Sequence, residues 1–191
     1  MNDNVNNFFD DLNNRPIPDF DGLSPAQMHE LFYDKFGPNS SIELQPLCDS
    51  EYQQISLLNQ ICYLAQIIAE NKEIRLTKKG FLPVKIVADL YDQGFLKDEH
   101  IESGISKLYK EADSMTVHLT RILIEQMGIA KKRNGKLSLT KKAENTLVNK
   151  PKLMRLLFDT FASKFNWAYF DGLWTKQYWS AWSGFYFSSA Q

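Results

Sequence analysis

The residues that could do chemistry in this chain are basic, and most of them crowd into one short stretch. Lys131, Lys132, Arg133, Lys136, Lys141 and Lys142 lie within a dozen positions of one another. Lysine and arginine at this density suit contact with phosphate, whose charge they neutralise while releasing counterions. Arg121, a little upstream, is the nearest further candidate, because an arginine on a helix can take a guanine edge as well as a phosphate. Groups for enzyme chemistry do not assemble in this way. There is no phosphate-cradling glycine loop, no GxSxG, no paired-histidine metal motif and no convincing triad. Cys48 and Cys62 have neither metal-ligand spacing nor a disulfide framework around them, and Cys62 reads as a small buried apolar residue. His29 beside Glu30 reads as a surface histidine. No catalytic residue, metal or cofactor is expected, and the chain is expected to act as a non-enzymatic binding module.

Such a basic cluster needs a rigid support, and the pattern around it supplies one. Ser114 suits the N-cap of a helix, and Met115, Leu119, Ile122, Leu123 and Gln126 recur on one face of it. Gly128 stands where a left-handed residue ends a helix. Ile129–Arg133 reads as a strand, and Asn134-Gly135 is a strong hairpin signal, because a type I′ turn needs positive φ at both central positions. Lys136–Thr140 returns, with Leu137 and Leu139 on one face and Lys136 and Ser138 on the other. In this phase Ser114, Val117, Arg121, Ile124 and Glu125 point outward, with His118 at the border. Val117 and Ile124 would be wasted in a nucleic-acid groove. They are expected under another helix or a partner, and so enter as protein-interface candidates.

The segment EQMGIAKKRNGKLSLTKKAENTL, Glu125 to Leu147, resembles the winged-helix superfamily of helix-turn-helix proteins. In that superfamily a recognition helix is followed by Gly and an aliphatic residue, a basic wing, Leu-Thr and a final helix. The resemblance implies a mainly α fold, a winged helix with a small three-stranded antiparallel sheet and extra N- and C-terminal helices. Ile74–Thr77 should supply the lone strand and pair with Lys136–Thr140. An echo of Leu76-Thr77-Lys78-Lys79 at Leu139–Lys142 could mark a duplicated unit, but no basic hairpin precedes the first copy, and one winged helix is favoured. The resemblance implies double-stranded DNA as an anionic partner for the wing. Winged helices also dock proteins, so a homodimer or protein partner stands beside it. A lysine-rich hairpin has a plainer reading too, as an edge protected against strand pairing.

The 191 residues carry a net charge of −1 that hides an asymmetry. Residues 1–51 hold two basic against ten acidic side chains, a net of −8, and residues 72–152 hold 17 against 10, a net of +7. Three segments are expected: an acidic arm and capped helix over 1–50, the winged helix over 51–150, and a C-terminal helix with an aromatic tail over 151–191. Residues 1–22 read as a mobile acidic arm. Ser24-Pro25-Ala26-Gln27 is a capping box opening a helix, and DFDGLSPAQMHELFY, Asp19 to Tyr33, resembles the opening of a group of uncharacterised bacterial proteins. Helices are expected over Tyr52–Glu70, Val84–Gln93, Ile101–Glu111 (with Ile105 and Leu108 inside) and Lys152 to about Trp167. All four tryptophans lie from Trp167 onward. Trp174, Tyr178, Trp179 and Trp182 are candidates for burial against the body or a partner, because so many exposed aromatics together invite association. The start lacks the basic and apolar regions of a secretory signal and no apolar run reaches membrane-spanning length. A cytoplasmic protein without membrane association is the expectation.

Overall fold

In the computed structural model the described residues are 2–34, 36, 37, 40, 43–45 and 47–166, with side chains described from residue 8 onward. The central stretch folds as a helix leading into a hairpin. Ser114 caps α7 (Met115–Gln126) by accepting from the Val117 amide, and the hairpin is β2 (Ala130–Arg133) and β3 (Lys136–Leu139). Asn134 and Gly135 both take positive φ, 51° and 70°, as the type I′ turn requires. β1 (Ile74–Arg75) joins the open side of β3, giving an antiparallel sheet in the order β1-β3-β2. Ile74 stands opposite Leu137 and Arg75 opposite Lys136. The described residues are therefore mainly helical with one small three-stranded antiparallel sheet, as the resemblance implied.

Helices precede, interrupt and follow that sheet along the chain. α1 (Asn2–Asn14) and α2 (Pro25–Tyr33) precede it, then α3 (Asp49–Gln54) and α4 (Ser56–Glu70). α5 (Val84–Asp92) and α6 (Glu99–Glu102) lie between β1 and α7, and α8 (Ala143–Leu147) and α9 (Lys150–Ser163) follow the hairpin. The core is built on α4, whose Leu58, Ile61, Leu64 and Ile68 are sealed against Leu82, Leu90, Leu123, Ile124, Ile129 and Leu137. Each fully buried aliphatic of this size contributes roughly 1.5–3 kcal/mol. The core continues into α9 through Leu153, Leu157 and Phe165 just beyond it. Asn149 caps that helix by accepting from the Lys152 amide, and Pro151 sits in its first turn.

Three local expectations differ from what forms. Residues 2–14 are helical rather than an irregular arm, packed beside α2 with Phe8, Phe9 and Leu12 still largely in solvent. Phe8 and Leu12 lie one helical turn apart, a pairing that the Asn- and Asp-rich composition obscured. The expected helix over 101–111 stops at Glu102, because Gly104 takes φ +77° and turns the chain out of the helix. Ile105, expected in the core, is 82 % exposed as a result. In α7 the buried face is Val117, Thr120, Leu123 and Ile124, while Met115 is exposed and Leu119 and Ile122 only half-buried.

Candidate nucleic-acid interface

The rotation of α7 has an identifiable cause. Thr120, a polar residue on the buried face, is fully enclosed and its hydroxyl donates to the Thr116 carbonyl at 2.9 Å. It also accepts from the Gln60 side-chain amide of α4 at 2.9 Å. A threonine satisfied on both sides can occupy a core position that the apolar pattern alone would deny it. Val117 and Ile124 flank it and are fully buried against the chain's own core. Their assignment to a partner interface is thereby corrected: the helix they lie under belongs to this protein.

Two buried carboxylates fix α7 to the segment before it. Asp98 accepts from the Ser114 hydroxyl at 2.5 Å and from the Thr116 amide at 3.3 Å, holding the start of the helix. Glu111 is fully buried. One of its oxygens accepts from Arg121 Nε at 2.6 Å and lies 2.7 Å from His118 Nδ1, and the other accepts from the Leu82 amide at 2.6 Å. Arg121 also pairs with Glu125 on its own helix. Arg121 is thus drawn into an internal network and its guanidinium is committed to two carboxylates, which corrects its reading as an outward base- or phosphate-contacting side chain. The solvent side of α7 carries Met115 and Gln126, with Leu119 and Ile122 half-buried beneath.

Burial pushes the Glu111 carboxyl up, but hydrogen bonds from His118, the Leu82 amide and Arg121 outweigh it and hold it below its ordinary value of about 4.5. A carboxyl depressed in the folded state favours folding fully above its unfolded pKa. That contribution is lost as pH falls through the folded value. The stability difference between wild type and Glu111→Gln should therefore be constant above about pH 5.5 and shrink below pH 4.5, measured by urea unfolding at each pH. A difference unchanged down to pH 3 would show that the carboxylate is not held ionised by the fold.

The pairing register sorts the basic residues by face. Residues opposite one another in an antiparallel pair project to the same side of a sheet. Arg133 and Arg75 both stand opposite Lys136, and Lys131 stands opposite Ser138. These four cations share the outer face, away from Ile74, Leu137 and Ala130, which line the core. Lys132 stands opposite Leu137 and projects to the other face. Its ammonium lies over the Gly80 turn, where an added Cβ would come within 2.4 Å of it. Lys136 pairs with Glu73, and no hydrogen bond or ion pair to Arg75, Lys131, Lys132 or Arg133 side chains is found among the described residues. Lys141 and Lys142 are exposed where α8 begins, and the end of Lys142 reaches Gly128 at the C-terminal end of α7, where a cation is favoured. Arg75 and its place in this row escaped sequence reasoning. Its segment was legible as a strand, but the facing of each residue depends on register, which no local pattern supplies.

Trp174, Tyr178, Trp179 and Trp182 lie outside the described residues. Cys62 is half-buried and burial pushes its thiol up, away from nucleophilic character. Among the described residues no helix is long and apolar enough to cross a membrane, and no three His, Cys, Asp or Glu side chains gather as metal ligands would.

The fold and this surface define a mainly helical domain with a cation-faced three-stranded sheet. A family model described as the Y4jL N-terminal domain matches residues 53–153, just over half of the chain. The chain belongs to that family. The match runs from the end of α3 to the first turn of α9 and takes in the whole sheet. It fits the expected kinship with uncharacterised proteins, although it falls on the body of the chain rather than on Asp19–Tyr33, where that resemblance was seen. No curated protein and no solved structure matches the chain.

Proposed function

We propose that this protein is a winged-helix binding module that associates with double-stranded DNA through its basic hairpin and acts without enzymatic turnover. The order α4, β1, α5, α7, β2, β3, with β1 and β2 flanking β3, supports the winged-helix reading. The carrying observation is the outer face of the sheet, where Lys131, Arg133 and Lys136 stand together on a rigid hairpin. A hairpin backbone paired in this way needs no ordering before its cations meet a phosphate backbone, and the effect of the cations adds over contacts.

Fluorescence polarisation of the full chain with a random-sequence duplex tests the reading. Binding should weaken as salt rises from 50 to 200 mM, by roughly 40-fold for three phosphate contacts. Changing Lys131, Arg133 and Lys136 together to alanine should flatten the logarithmic salt dependence by about 2–3 units. Absence of salt-dependent binding would transfer the weight to protein docking. One observation favours that second reading: Ile105, Tyr109 and Met115, on and just after the segment leading into α7, are 82 %, 65 % and 48 % exposed. Sedimentation of the full chain alone would then show whether the partner is a second copy.

A further inference from the structure

We infer that duplex DNA lies across the outer face of the whole three-stranded sheet, with Arg75 as a phosphate contact, and that α7 stays out of the groove so that binding is blind to sequence. This inference rests on the reading above and specifies its mode. Arg75, Lys136 and Arg133 stand side by side on three adjacent strands. Like charges directly opposite one another on a sheet repel. Among the described residues only the middle member of the row has a carboxylate partner, Glu73, and the two flanking arginines are exposed and can take an anion from outside. At roughly 4.8 Å between strands the row is about 10 Å long, and Lys131 lies about 7 Å further along β2. A row of this length can face neighbouring phosphates of one duplex strand at the same time.

The same structure withholds the means of reading bases. Base edges are read by Arg, Lys, Asn or Gln side chains presented from the helix. Arg121 is held by Glu111 and Glu125, and His118 by Glu111. Gln126, in the last turn, is the one residue of those four types left exposed on α7. The other exposed residue of α7 is Met115, which, like the half-buried Leu119 and Ile122, offers a groove no hydrogen bonds. Contacts to phosphate with none to base edges fix position but carry no sequence information.

The test uses the full chain and three labelled duplexes of unrelated sequence, each titrated at four salt concentrations. Wild type should bind all three within about twofold. Arg75→Ala should weaken binding equally on all three and reduce the salt slope by about 0.9, and Arg75→Lys should restore most of the slope. Lys152→Ala, an exposed cation on α9 outside the sheet, should leave it unchanged. Thermal melts of each variant separate lost contact from lost fold, and Arg75→Lys keeps the charge if alanine disturbs the short strand. An unchanged slope in Arg75→Ala, while the Lys131/Arg133/Lys136 variant still loses binding, would overturn the sheet-face mode and leave the DNA-binding reading standing. Discrimination among the duplexes of tenfold or more would overturn the sequence-blind mode. No binding by wild type to any duplex would remove the underlying reading itself.

Discussion

Replacing Glu111 with alanine is expected to lower the melting temperature by about 10 °C. The carboxylate is fully buried and serves three donors from two segments: the Leu82 amide, His118 and Arg121. Its removal leaves an amide and a guanidinium facing a void. Breaking a buried charge pair by deleting one partner costs about 3–5 kcal/mol. In a chain of this size each kcal/mol shifts the midpoint by about 2–4 °C. Arg121 keeps Glu125 as a partner, so the lower part of that range is the better guide. Glu111→Gln preserves an acceptor for the amide and should cost about half as much. Calorimetry on the three proteins decides the matter. A shift below about 2 °C in the alanine variant would mean that the network contributes no net stability.

The second large effect concerns the phase of α7. Ile124→Ala should destabilise by about 2–5 kcal/mol, since a fully enclosed side chain is lost and the cavity only partly collapses. Met115→Ala, on the same helix but half in solvent, should change stability by no more than about 0.5 kcal/mol. Urea unfolding of both variants makes a direct comparison. Greater damage from Met115→Ala would restore the phase expected from the apolar pattern, with Ile124 turned outward.

That contrast shows where the sequence was legible. Features set by a few adjacent residues came through: the Ser24–Gln27 capping box, the Ser114 cap, and the Asn134-Gly135 turn with both strands beside it. The lone strand at Ile74 was also found, through the resemblance that called for a strand to pair with Lys136–Thr140. Features set by distant partners did not come through. Thr120 counts as polar until Gln60 of α4 is brought to it, so the periodicity of α7 misled by about one position. Arg121 reads as an outward cation until Glu111 is placed beneath it. Arg75 gains its meaning from residues on β3 and β2 that the chain reaches much later. Gly104 ends the helix expected to run on to Glu111, and local pattern did not reveal that, since the choice depends on whether Ile105 has a core to enter.

The cation row also bears on the order in which the sheet comes together. β2 and β3 are neighbours joined by a two-residue turn, and hairpins of this kind form in roughly 1–10 μs. β1 must close a long loop before it can pair, as the 63-residue separation of Glu73 and Lys136 indicates. Loop closure of that kind is slow and is rewarded late in folding. The hairpin therefore carries Arg133 beside Lys136 from the start, whereas Arg75 arrives last, and Glu73 comes with it on the same side of the sheet to meet Lys136. Docking of the final strand adds a third like charge and its neutraliser together. A polyanion that spans all three cations recognises only the completed sheet. By mass action it would then hold β1 in place against fraying, by an amount that grows with the logarithm of its concentration.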